Sequence, residues 1–482
     1  MLSLAVRKRV VVWLLGQLLI PLAGMAVFPV FLALAFGEYE FALICAAVSA
    51  VFLVAGWAMA RIEAPLDVRY SEGIVAIVIV FLIGATAMAL PFVAEGLPWL
   101  DAWFESVSAI TTTGLTTLGD VESRSLAFLF TRAWMQWYGG LVIVVLAVAL
   151  VLAPGPAAQK LGETQVEAFD VVGGTRARAR QALAVYLALT SLAFVLLVLA
   201  GVAPFDALCH ALAAVSTGGF SSHNDGLRGL GGLQVQWIPI AMSFCGAISL
   251  TLYMRAWQGR WRDVIWDPGL RGLVIAILAS TLLISIFMMT KDDLPWTYVL
   301  RHAPLLAVSA QTTSGFSSID VGALDPASKL TLIGSMFVGG ESGSTAGGIK
   351  IARLLILLAL VRFILTRVRM PPHAVTKPLA SGRRLDETDV YAGLTVVILH
   401  ALVISLSWLI FVASGHGVLN ALFEVTSAVG TVGLSTGVTN ASLAPWLKGL
   451  LTADMLMGRL EVVAVIVLLN PMTWFGRRAE VS

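Results

Sequence analysis

Thr112-Thr113-Gly114-Leu115-Thr116-Thr117, Thr217-Gly218-Gly219-Phe220-Ser221-Ser222, Thr313-Ser314-Gly315-Phe316-Ser317-Ser318 and Thr431-Val432-Gly433-Leu434-Ser435-Thr436 are four versions of one pattern, Thr-x-Gly-(Leu/Phe)-(Ser/Thr)-(Ser/Thr). A single Thr/Ser/Gly stretch is a common loop, but four in the same surroundings are a repeat. Each follows a short apolar run, at about Trp99–Ile110, Phe205–Val215, Trp296–Ala310 and Val418–Ala428. Apolar runs of about 10–14 residues are too short to cross a bilayer and read as re-entrant half-helices. Pro98, Pro204 and Pro295 stand near the start of three of them, where the first helical turn accepts proline. Long apolar runs lie outside, opening near Ile74, Ala182, Leu273 and Val390 and closing near Leu126, Val235, Leu330 and Leu450. The unit is helix, half-helix, loop, helix, repeated four times.

The composition requires this kind of reading. Of 482 residues, 58% are hydrophobic and only 12% charged. Soluble domains carry roughly 45–50% apolar and about 25% charged residues, so a soluble enzyme and a disordered chain are both excluded. Two further apolar runs, about Val10–Phe36 and Phe41–Ala60, meet at the turn Gly37-Glu38-Tyr39-Glu40 and form a hairpin. The basic Arg7-Lys8-Arg9 precedes a run too long for a signal peptide. The expected fold is an all-α polytopic membrane protein with about ten transmembrane helices and four re-entrant half-helices in pseudo-fourfold repeats. The expected divisions are a hairpin over 1–66 and repeats over 67–160, 161–262, 263–384 and 385–482. Cations gather in alternate connections (Arg61, Arg69, Arg176, Arg178, Arg180, Arg255, Arg260, Arg262, Arg367, Arg369, Arg383, Arg384, Arg477, Arg478). The positive-inside rule then places both termini in the cytoplasm.

A net charge of +2 argues against nucleic acid as a partner. Cys45, Cys209 and Cys245 are far apart and suggest neither a metal cluster nor disulfides. The loops suggest a different chemistry. Non-helical backbone at membrane depth is tolerated where it lines a cavity. Four such loops around one axis can replace the hydration shell of a cation with carbonyl oxygens. Glycine permits the positive φ that turns successive carbonyls one way, and the half-helices aim their negative ends at the axis. No charged side chain occurs in the four clusters. The alternative is plain tight turns, which would not need preceding half-helices.

The third closing run extends from about Leu330 to Leu365, longer than one untilted crossing. Its middle, Gly339-Gly340-Glu341-Ser342-Gly343-Ser344-Thr345-Ala346-Gly347-Gly348-Ile349-Lys350, should break the helix. Such breaks mark ion or substrate pathways, and close helix packing is the competing explanation. The last run carries Gly458-Arg459-Leu460-Glu461. An intramembrane arginine is a functional hypothesis by default: a barrier to cations, a holder of the glycine-rich loop, or else a local ion pair or a residue snorkelling to the membrane surface. Glu105 and Glu424 stand nine residues before Gly114 and Gly433, where His210 and Leu306 occupy the other two repeats. They either brace the loops or sit solvated at the mouth. Gln136-Trp137 reads as packing.

These residues resemble the Trk/Ktr/HKT superfamily of potassium transporters, and among them the bacterial TrkH/KtrB-like membrane subunits, over essentially the whole chain. The four loops, the Gly339–Lys350 stretch and Gly-Arg-Leu-Glu at 458–461 carry the likeness. The resemblance implies potassium uptake through a channel-like pore. Its filter would be Thr112, Thr113, Gly114, Thr217, Gly218, Gly219, Thr313, Ser314, Gly315, Thr431, Val432 and Gly433, with the potassium ion at their carbonyls. Plant members with serine at the first filter glycine favour sodium, so Gly114 implies potassium. Gly339, Gly340, Gly343, Ser344, Thr345, Gly347, Gly348 and Lys350 would form an intramembrane gate, with Arg459 helping to hold it closed. A homodimer in the bacterial inner membrane is implied. So is a cytosolic ring of nucleotide-binding subunits of the TrkA/KtrA type, the nucleotide being on that partner and not on this chain. A secondary transporter also uses broken helices but would show two inverted halves. An intramembrane enzyme would need paired carboxylates, a Ser–His pair or metal ligands, and nothing in the sequence supports one.

Overall fold

The computed structural model describes residues 5–63, 65, 68–152, 171–369, 371, 377–380 and 383–476. Arg477, Arg478, most of the segment 154–180 before Val171, and residues 370, 372–376 and 381–382 lie outside them. The hairpin is α1 (Lys8–Ala35) and α2 (Tyr39–Ala60). The first repeat is α3 (Tyr70–Ala94), α4 (Trp99–Ile110) and α5 (Leu126–Leu152). The second is α6 (Val171–Leu199), α7 (Pro204–Val215), α8 (Leu233–Ala247) and α9 (Leu250–Trp257), with the short α10 (Trp261–Ile265) after it. The third is α11 (Pro268–Thr290), α12 (Trp296–Gln311), α13 (Pro326–Val338) and α14 (Ile351–Arg367). The fourth is α15 (Glu387–Ala413), α16 (Val418–Val429), α17 (Pro445–Leu460) and α18 (Val462–Leu469), followed by α19 (Pro471–Phe475). A two-residue antiparallel pairing, Leu379–Ala380 with Arg383–Arg384, is the strand content of the described residues.

The half-helices fall where the short runs predict them, within about a residue. Among the described residues, six helices are long and apolar enough to cross a membrane: α1, α2, α3, the Ala179–Leu199 part of α6, α11 and α15. The closing segments differ from the expected unbroken crossings. Only α5 runs through, over 27 residues. The second is bent by 86° between α8 and α9, the third is interrupted from Gly339 to Lys350, and the fourth turns at Glu461, whose φ is +66°. Sequence reading anticipates only the third break, because only there do glycines announce it.

Local signals set the helix starts. Asp267 accepts from Gly269 N and Leu270 N ahead of Pro268, and Asp325 accepts from Ala327 N and Ser328 N ahead of Pro326. Each is an N-cap with proline in the first turn. The closing helix of each repeat packs on the half-helix of the next: α5 on α7, α8 on α12, α13 on α16, and α17 back on α4. The four repeats therefore close a ring around one axis.

Candidate functional site

Each half-helix ends in the same cap. Thr112, Thr217, Thr313 and Thr431 have φ of +54°, +54°, +55° and +49°. In the first repeat Thr112 N–H donates to Ala109 O at 3.0 Å and Thr113 N–H to Ser108 O at 2.9 Å. The same two bonds recur at Thr217/Gly218, Thr313/Ser314 and Thr431/Val432, between 2.8 and 3.2 Å. This is the Schellman arrangement, with threonine where glycine is usual. A left-handed L-residue costs about 1–2 kcal/mol and a β-branched one is an outlier. Its recurrence at four matching positions means that tertiary packing imposes it.

The loops then meet edge to edge. Gly114, Gly219, Gly315 and Gly433 again have positive φ, from +69° to +93°. A Cβ on Gly114 would overlap the carbonyl oxygen of Gly218, and one on Gly219 that of Ser314. One on Gly315 would overlap Val432 O, and one on Gly433 would overlap Thr113 O, which completes the circuit. Eight of the twelve expected loop residues meet in this circuit, which four glycines close sterically and which holds no charged side chain; the four threonines cap the half-helices just before it. Above it, Gly219, Gly315 and Gly433 line a cavity of about 220 Å³ with Asp225, Arg228 and Asp320.

Polar side chains hold the ring from behind. Glu105 is fully buried; its Oε1 accepts from Thr116 Oγ1 at 2.6 Å and Thr117 N at 2.9 Å. Its Oε2 is 3.1 Å from Arg132 Nη2, and that guanidinium lies 3.8 Å from the centroid of the Phe220 ring in the next loop. Glu424, also fully buried, accepts from Ser435 Oγ, Thr436 N and Thr439 Oγ1 at 2.6–2.7 Å. His210 Nε2 is 3.0 Å from Ser221 Oγ. Of the two readings of the glutamates, burial and bonding select the brace. Gln136 corrects a second expectation. Its Nε2 donates to Gly218 O at 2.5 Å and its Oε1 accepts from Phe220 N at 3.2 Å, so it spans Gly219 and does not merely pack.

Two lysines escaped sequence reading. Lys329 Nζ donates to Gly322 O at 2.8 Å and Asn420 Oδ1 at 3.2 Å; Lys448 Nζ donates to Ala441 O at 2.8 Å and Asp101 Oδ1 at 2.5 Å. Each binds a carbonyl seven residues earlier and the third residue of the next repeat's half-helix. The shared spacing Pro326-x-x-Lys329 and Pro445-x-x-Lys448 was the available signal.

The glycine-rich stretch lies directly beneath the ring. Gly347 N–H donates to Thr313 Oγ1 at 2.6 Å and Gly348 N–H to Gly430 O at 3.1 Å. Thr345 Oγ1 donates to Gly246 O at 2.9 Å and lies 3.5 Å from Thr217 Oγ1. Gln311 Nε2 donates to Gly339 O at 2.6 Å. Gly339, Gly343, Gly348 and Lys350 all have positive φ, and Lys350 Nζ donates to Ala346 O within the loop. Gly340 packs on Ala346, and Ser344 Oγ donates to Glu341 O at 2.6 Å. Arg459 is buried and reaches the loop from the fourth repeat, its Nη1 donating to Thr345 O at 2.8 Å. Its Nε and Nη2 have no hydrogen-bond partner among the described residues. The local ion pair suggested for this stretch belongs to Glu461 instead, with Arg353 at 2.5 Å.

The family described as TrkH, cation transport protein, matches residues 40–268 and 272–474. The chain belongs to the TrkH family. It is 30% identical over 97% of its length to the Trk system potassium uptake protein TrkH of Salmonella typhimurium, covering 99% of that protein. It is 34% identical to the Trk system potassium uptake protein TrkI of Halomonas elongata, over 80% of each chain. The crystal structure of the potassium transporter TrkH from Vibrio parahaemolyticus superposes with a TM-score of 0.85 at 26% identity, covering 97% of this chain and 100% of that one. TrkH-family membership makes this a multi-pass membrane transport protein and not an enzyme.

Proposed function

We propose that the chain takes up potassium through a pore on the axis of the four loops. The closed ring of Gly114, Gly219, Gly315 and Gly433 carries this reading. Such a ring offers carbonyl oxygens to a dehydrated cation and supplies no competing charge. The relatives named potassium uptake proteins point to the same ion. Thr112, Thr113, Thr217, Gly218, Thr313, Ser314, Thr431 and Val432 supply the remaining filter backbone. The Gly339–Lys350 loop is the gate in this reading, which its hydrogen bonds to Thr313, Gly430 and Gly246 beneath the ring support. Arg459 holds it there and opposes cation passage with its unpaired nitrogens.

The functional assembly is a homodimer in the bacterial inner membrane, with both termini cytoplasmic. A separate cytosolic ring of nucleotide-binding subunits controls it. The asymmetry of the cations supports the orientation, and the relatives' designation as parts of a Trk system supports a second component. The domain division into a hairpin and four repeats follows the four half-helices.

The test is rubidium and potassium uptake in cells lacking their own uptake systems, with and without Gly114→Ser. Uptake that prefers potassium over sodium, and loses that preference in the variant, is the expected result. A well-expressed protein that gives no uptake even with a cytosolic partner co-expressed would remove the channel reading.

A further inference from the structure

The segment between α8 and α11 has no role in the ring. It begins at the 86° bend, so α9 leaves the axis nearly at right angles to α8. Its two ends are tied into the closing helix α8 and the membrane-crossing helix α11, on the side away from the outer cavity. The elbow from Ser249 to Arg271 is therefore confined to the membrane surface. Trp257, Trp261 and Trp266 on it are 84%, 61% and 67% exposed. Four arginines, at 255, 260, 262 and 271, stand against two aspartates, at 263 and 267. Arg255 and Arg260 are 3.7 and 2.5 Å from Asp267 and Asp263, leaving positive charge in excess. Between α9 and α6 lies a cavity of about 320 Å³ lined by Ala184, Val185, Met254 and Trp257, with Gln181 and Gln258 at its edge. The exposed Arg180 begins the adjoining turn of α6.

Tryptophan favours the headgroup level of a bilayer, and arginine near an anionic leaflet gains about 1 kcal/mol. An apolar slot beside a cationic rim matches a molecule with an acyl chain and a phosphate. We propose that this elbow and α6 form a binding site for an anionic phospholipid, the chain in the slot and the headgroup on the arginines. The site touches the gate loop: Ser249 N–H donates to Glu341 Oε2 at 2.9 Å and Leu250 N–H to Gly343 O at 3.3 Å. A lipid that fixes the elbow thereby fixes one edge of that loop. The binding proposal rests on the membrane fold alone and not on the transported ion.

The test uses the full chain in lipid nanodiscs containing brominated phosphatidylglycerol or brominated phosphatidylcholine. Subtracting the emission of Trp257→Phe isolates the Trp257 signal. Stronger quenching of that signal by the anionic phosphatidylglycerol is expected. The triple variant Arg255→Gln/Arg260→Gln/Arg262→Gln should reduce the preference about fivefold per arginine. The corresponding triple lysine variant should keep most of it, which separates charge from misfolding. Equal quenching by both lipids, or an unchanged preference in the glutamine variant, would overturn the proposal. So would a glutamine variant with intact lipid preference that no longer responds to a co-expressed cytosolic partner, since the elbow would then be a protein surface.

Discussion

The loops at the outer end of the axis share one backbone, while the helix segments at its inner end share none. Four Schellman caps repeat around the ring within tenths of an ångström and four left-handed threonines within a few degrees, each followed by a positive-φ glycine. Beneath them α5 is continuous, α8 bends into α9, α13 gives way to a twelve-residue loop, and α17 turns at Glu461. One ion on an axis needs equivalent ligands from every side, which favours repetition. One obstacle on the same axis can come from one repeat only, because four such loops would collide. The other three closing helices carry a glycine at one matching place. A Cβ on Gly139, Gly246 or Gly458 would overlap the last carbonyl of its own half-helix, at Ile110, Val215 or Val429. In the third repeat the corresponding place, Gly339, already belongs to the loop.

This contrast can be broken in several places. Glu105→Ala should have the largest effect, because it leaves Arg132 buried without its carboxylate. Removing one member of a buried pair costs about 3–5 kcal/mol. The thermal midpoint of the purified protein should fall further than for Glu424→Ala, whose partners are hydroxyls and one amide. Equal losses would mean that the ion pair is not the stronger brace.

Alanine at any of the four ring glycines comes next, at about 2–4 kcal/mol each from left-handed strain plus overlap with a backbone carbonyl. The four variants should lose potassium preference to similar extents in competition uptake with sodium. A tolerant position among them would show that the ring is not functionally fourfold.

Lys448→Met removes a charged hydrogen bond between the fourth and first repeats and should cost about 1.5–3 kcal/mol. Selectivity in the same uptake assay should stay near that of the unmodified protein, since the lysine grips the outer ends of helices and not the loops. Arg459→Ala should change stability least, within about 1 kcal/mol, because one bond to Thr345 is lost while two unpaired nitrogens leave the interior. Flux should nevertheless rise severalfold without a shift in selectivity. Unchanged flux would argue that Arg459 does not restrain the loop.

The sequence by itself determined the membrane class, the number of repeats and the half-helices to about a residue. These follow from apolar run length and from a pattern written four times, both local quantities. It also marked the one break made of glycine. Tertiary structure alone decided the rest. Nothing local in Ile248-Ser249 or Leu460-Glu461 turns a helix; Ser249 is held by Glu341, 92 residues away, and Glu461 by Arg353, 108 residues away. Nor does threonine prefer the left-handed region; it is held there by cap bonds and by the neighbouring loop. Gln136 looked like packing because its partner, Gly218, is 82 residues distant and known only once the repeats close. Pattern in the chain fixes what repeats, and contacts between repeats fix where the chain must bend, strain or bury a charge.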